Sequence, residues 1–97
     1  MLGVRISAAA EADLQSHAEF GIERFGTDQA WSYQEKLIET FQFLARFPRV
    51  GRRVGPTMYP ECLLFGFGSH LVIYTFDAHS VVNRRILHAS VDLDRHI

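Results

Sequence analysis

Residues 63–76, LLFGFGSHLVIYTF, and residues 80–97, SVVNRRILHASVDLDRHI, decide the fold of this chain. Two apolar runs flank Gly68-Ser69-His70, and a Gly-Ser pair between apolar segments signals a tight turn. A second turn signal, Asp77-Ala78-His79-Ser80, leads to a third run that closes on Arg85-Ile86-Leu87-His88. Connections this short join neighbouring strands, so the three runs form an antiparallel meander. Residues 89–97 are expected as a last short helix or a trailing arm.

Upstream of the meander the apolar period lengthens from two residues to that of a helix. Leu14, Ala18, Ile22 and Phe25 share one helical stripe, with Glu11, Glu19 and Glu23 facing outward. Ser7 is placed to cap this helix, and Gly26 to stop it. Thr27 or Asp28 caps a second helix, whose stripe is Ala30, Tyr33, Leu37, Phe41 and Leu44, widened by Ile38 and Ala45. Pro48 ends it, because a residue before proline is pushed out of the helical region. Two amphipathic helices with a two- or three-residue joint make an antiparallel hairpin. Val4-Arg5-Ile6 reads as a short first strand. Residues 48–60, PRVGRRVGPTMYP, read as a loop, since prolines and glycines interrupt any period. The order is therefore β-α-α-β-β-β, an α+β chain. An N-terminal strand and a helical hairpin pack on an antiparallel β-meander, and one sheet face is expected to stay open beside Arg84, Arg85 and His88.

Ninety-seven residues fit one domain spanning 1–97 with one modest core. The 47% hydrophobic and 22% charged fractions are those of an ordinary globular protein. No apolar stretch reaches the ~20 residues a membrane span needs. MLGVRIS lacks the order of a signal peptide, so a cytoplasmic protein is expected. The single cysteine, Cys62, lies in an apolar run and reads as a core residue rather than a nucleophile. Net charge is −1, but unevenly laid out: residues 1–45 carry three cations against seven acids, and residues 46–97 seven cations against four acids. All cations but Lys36 are arginines, which suit bidentate contacts to carboxylates or phosphates.

Candidate chemistry is sparse. His17, His70, His79, His88 and His96 show no HxxxH or HxH spacing, and there is no CxxC, so no metal or other cofactor is expected. Ser69 in GFGSHL lacks a nucleophile elbow, and neighbouring strand residues point to opposite faces, so Ser69 and His70 do not read as a catalytic pair. Metal-free nucleolytic chemistry would need a base, an acid and cations for the developing phosphorane charge. Arg84 and His88 fall on one face by strand alternation, with Arg85 and Leu87 on the other. The bland alternative pairs Arg84 or Arg85 with an acid such as Asp92 or Asp94.

Four stretches in order resemble the ParE toxins of the RelE/ParE superfamily: residues 6–37 (the opening hairpin), 44–54 (LARFPRVGRRV), 68–76 (GSHLVIYTF) and 84–97 (RRILHASVDLDRHI). The resemblance implies a cytoplasmic, non-enzymatic toxin of a type II toxin–antitoxin pair that inhibits DNA gyrase. It also implies a hetero-oligomer with a ParD-like antitoxin, which folds onto the toxin, with DNA met only indirectly through the antitoxin. Two other readings are a RelE-like ribosome-dependent mRNA endonuclease and a non-toxic antitoxin-binding module. The RNase reading sits poorly with a net charge of −1 and a single lysine. Thr75 also stands where many relatives place arginine. The candidate residues for a target- or partner-facing surface are Arg84, Arg85, His88, Arg95 and His96. Phe20, Trp31 and Tyr59, large residues off the core stripes, are the candidates for the antitoxin groove.

Overall fold

The computed structural model describes residues 1–53 and 62–90. Tyr59, Arg95 and His96 lie outside the described residues, as do Asp92 and Asp94. The elements run β1 (Gly3–Ile6), α1 (Ala8–Phe25), α2 (Thr27–Arg46), β2 (Arg52–Arg53), β3 (Leu63–Phe67), β4 (His70–Phe76) and β5 (Ser80–His88). They build one mixed sheet in the order β1-β5-β4-β3-β2, with the helical hairpin against one face. β3, β4 and β5 form the expected antiparallel meander, and β1 adds to the far side of β5 in parallel.

Local chemistry explains the punctuation. Ser7 Oγ accepts the Ala10 N–H at 3.1 Å and starts α1. The joint between the helices is one residue, shorter than expected: Gly26, at φ 89°, turns the chain where a side chain would be strained. Gly26 rather than Thr27 or Asp28 is therefore the N-cap of α2, with no side-chain cap bond. Asp77 Oδ1 accepts the N–H groups of His79 and Ser80 at 2.7 and 2.9 Å, closing the β4–β5 turn. Those two bonds hold its carboxyl below the usual range.

The core lies between hairpin and sheet. Leu37, Phe41, Leu44 and Ala45 from α2 meet Val72, Tyr74, Val81 and Ile86, with Ala10 from α1. Each large side chain buried here contributes about 1.5–3 kcal/mol. The stripes are not buried throughout: Ile22 and Phe25 at the end of α1, and Ile38 on α2, are exposed.

Three expectations are corrected. The stretch after Pro48 is not all loop, since Arg52–Arg53 pair with Leu64 and Leu63 as a short edge strand. The second sheet face is not open: Cys62, Leu64, Ile73 and Leu87 are buried there as a cluster of their own. Arg84 and His88 do not share a face. Ile73 pairs with Arg85 and Tyr74 with Asn83, so Arg84 is the extra residue of a bulge, which breaks the alternation. Arg84 Nε donates to Thr75 Oγ1 at 3.1 Å, while His88 stands opposite His70.

Candidate functional site

The bulge divides β5 into two halves with different neighbours. Before it, residues 80–83 pair with β1. After it β1 has ended, and side chains of α1 serve the outer edge of β5 instead. Ser7 Oγ donates to the Arg84 carbonyl at 2.8 Å. Asp13 Oδ2 accepts the Ile86 N–H at 2.9 Å, and His17 Nε2 donates to the Ile86 carbonyl at 2.7 Å. The N-cap serine and two polar residues of α1 thus satisfy a strand edge that would otherwise be unpaired. Arg85 joins this arrangement. Its Nε and a terminal nitrogen reach the two Asp13 oxygens at 2.8 and 3.1 Å, a bidentate pair. Arg85 thus pairs with an acid, as expected, and that acid is Asp13, 72 residues away in sequence; Asp92 and Asp94, the acids named from the sequence, lie outside the described residues.

Beyond this edge, four elements bring rings together. His17 of α1 and His70 of β4 have centroids 4.3 Å apart, and His70 and His88 of β5 lie at 5.8 Å. The Tyr33 hydroxyl of α2 lies 2.6 Å from His70 Nδ1 and accepts the Ser69 N–H at 3.3 Å. Serine and histidine of GSH therefore do meet in one site, but through Tyr33. His88 Nδ1 in turn holds Ser90, by its N–H at 3.2 Å and its hydroxyl at 2.7 Å.

The cluster forms the polar wall of a pocket of about 800 Å³. Phe20, Phe25 and Ala30 form the apolar wall, and Arg24 is the one Lys, Arg, Asp or Glu in the lining. Around the hairpin tip Phe20, Phe25 and Trp31 are 58, 57 and 60% exposed. Among the described residues no group of three or more His, Cys, Asp or Glu side chains is arranged to hold a metal ion.

Burial, and then the neighbouring His17 and His88, lower the pKa of His70 to about 4. The unfolded chain takes a proton here near pH 6.5 and the folded chain only near 4, so the associated stability is complete above 6.5 and is lost as pH falls towards 4. The side chain is partly exposed, so the shift is discounted for solvent screening, leaving about 1–2 kcal/mol. Urea melts of the wild type and His70→Gln at pH 7.5 and 5 should show the wild type losing more on acidification. Equal losses in the two proteins would remove the cluster as the cause.

The family model for the ParE toxin of type II toxin–antitoxin systems matches residues 4–93. The chain belongs to the ParE toxin family. It is 30% identical over 93 residues to Toxin ParE1 of Mycobacterium tuberculosis, covering 95% of this chain and 94% of that protein. It is 31% identical over 98 residues to Toxin ParE1 of Caulobacter vibrioides, covering 96% and 95%. A solved structure of the chromosomal ParDE system from P. aeruginosa superposes with a TM-score of 0.76 at 15% identity, covering 93% of this chain and 98% of that one. The fold is thus that of a ParE toxin, two helices on a five-stranded mixed sheet.

In this ParE-family chain the residues singled out from sequence fall into different places. Phe20 lines the pocket and Trp31, the fifth residue of α2, stands exposed next to Ala30 of its lining. His88 is part of the ring cluster, Arg84 is exposed at the bulge, and Arg85 is tied to Asp13. Sequence reasoning missed Asp13, His17, Tyr33 and His70. The available signal was Asp13 and His17 one turn apart on the flank of the Ala10–Leu14 stripe.

Proposed function

We propose that the chain is a cytoplasmic toxin that acts by binding and inhibiting DNA gyrase, not by catalysis, and that a ParD-like antitoxin silences it in a hetero-oligomer. The family membership supports the toxin role. The observation that carries the antitoxin's place is the pocket with Phe20, Phe25 and Trp31 exposed about it. Large aromatic groups left in water beside a concavity mark a surface that another chain covers. An antitoxin segment seats its apolar side chains against Phe20 and Trp31, and its ordering on the toxin lets a short chain cover a wide surface. Contact with DNA is made by the antitoxin.

Purified chain should inhibit supercoiling by the gyrase of its own host, and equimolar antitoxin should restore it. Full supercoiling at micromolar excess of the chain would rule gyrase out. Phe20→Glu and Trp31→Glu together should weaken the antitoxin complex by about tenfold or more, measured by calorimetry, with the melting curve unchanged. An unchanged affinity would place the antitoxin elsewhere.

A second reading, a ribosome-dependent RNase, has one observation in its favour. His70 is kept neutral in the pocket with a phenol on Nδ1, so it can accept a proton without a metal, although a pKa of about 4 makes it a weak base at neutral pH. Codon-specific mRNA cuts on induction, lost in His70→Ala, would establish it over gyrase inhibition.

A further inference from the structure

The second half of α2 carries a separate surface. Phe43 and Phe47, one turn apart, are 40 and 51% exposed, and their rings lie 5.3 Å apart. Phe65 of β3 extends the patch, 5.6 Å from Phe43. Arg46 is the last residue of α2, exposed and between Phe43 and the C-cap Phe47 in sequence, and Arg49 lies just past Pro48, over the Phe76 ring at 5.7 Å. Arg53 on the edge strand pairs with Leu63 and so shares the sheet face of Phe65. Residues 43–53 contain four arginines and no acid. The patch begins nine residues beyond Gln34, the last α2 residue lining the pocket, or roughly 13 Å along the helix axis.

We infer that this surface docks an acidic, amphipathic segment of a protein partner. The aromatic centre with an arginine rim has the composition of a protein interface core. Guanidinium groups hold carboxylates bidentately, and no lysine is present in the rim. A nucleic acid fits less well. The rings are tilted against one another into a closed apolar patch and are not splayed as stacking platforms, and the chain as a whole carries a net −1. The inference stands apart from the gyrase and antitoxin reading, since it uses neither the pocket nor the hairpin tip.

The probe is a helical peptide about four turns long, with leucines one turn apart and glutamates elsewhere. Its lysine counterpart and an oligothymidine strand serve as comparisons. Fluorescence anisotropy should give binding of the acidic peptide in the micromolar range, with none for the lysine peptide. Arg49→Glu with Arg53→Glu should weaken it by at least about tenfold, and Phe47→Ala by a smaller factor. Amide shifts on titration should centre on residues 43–53. No binding, equal binding by the arginine variant, or shifts centred on the pocket each overturn the inference. Tighter binding of the oligothymidine would assign the surface to nucleic acid. Self-association in sedimentation that the arginine variant abolishes would assign it to a second copy of the chain. Because the probe is neither gyrase nor antitoxin, failure here leaves the reading of the pocket untouched, and the reverse also holds.

Discussion

Tyr74→Ala should lower the unfolding free energy by about 4–5 kcal/mol, enough to leave little folded protein if the chain has the usual marginal stability. Tyr74 is fully buried in the centre of β4, packed among Phe41, Leu44 and Ile86. Truncation opens a cavity that the sheet cannot close, and that accounts for about 3–4 kcal/mol. The remainder comes from the hydroxyl. It donates to the Pro48 carbonyl and accepts the Gly51 N–H, both at 2.9 Å, so it ties the turn after α2 to the sheet. Gly51 approaches so closely that a Cβ there would lie 2.5 Å from the Tyr74 oxygen. Tyr74→Phe isolates the hydroxyl and should cost about 1–2 kcal/mol, because both backbone groups lose a partner. Chemical denaturation of the two variants separates the parts. A Tyr74→Phe loss as large as that of the alanine variant would mean that the turn, not the core, carries the stability. Burial also raises the phenol pKa above 10, although the Gly51 N–H works the other way. Stability is thus complete below pH 10 and is lost as pH rises through the folded value.

Tyr74 shows how far the sequence could be read. Its place in an apolar run of alternating faces made it a strand residue, and the turn residues on either side fixed the meander. Periodicity also located both helices to within a residue or two, because caps and breakers act over a single turn. The hydroxyl's partners are 23 and 26 residues away and belong to a turn whose course local signals do not determine. The same holds for the site. His17, Tyr33, His70 and His88 come from four elements, and only the packing of hairpin on sheet brings them together. No spacing rule in the sequence reports such a group. Strand alternation itself misled at Arg84, because one extra residue in β5 reverses every side chain on one side of it.

The acidic hairpin and the basic second half do meet, but at a single described ion pair, Arg85 with Asp13. The arginines of residues 46–53 stay exposed at the other end of α2. The uneven charge is therefore spent little on internal pairing among the described residues. It leaves an acidic helical flank and a basic edge, two surfaces that select different partners through long-range attraction and repulsion.

Asp13→Ala should destabilise the fold by about 3–4 kcal/mol, more than an ion pair at the surface could account for. The two side chains are only 16 and 34% exposed, so the attraction is poorly screened. The larger part of the loss comes from what is left behind. Ile86 keeps an N–H with no partner at the strand edge, and Arg85 loses the carboxylate on two of its nitrogens. Asp13→Asn retains an acceptor for Ile86 and should cost about half as much. A double-mutant cycle with Arg85→Ala measures the pair itself, expected at about 1–2 kcal/mol of coupling. The edge also positions the site, because His17, one turn further along α1, holds the Ile86 carbonyl and carries its ring against His70. Loss of Asp13 should therefore loosen the histidine cluster, and amide exchange at Ile86 and Leu87 should accelerate together with that at His70. Protection unchanged at all three would show that β1 and the core hold this edge without help from α1.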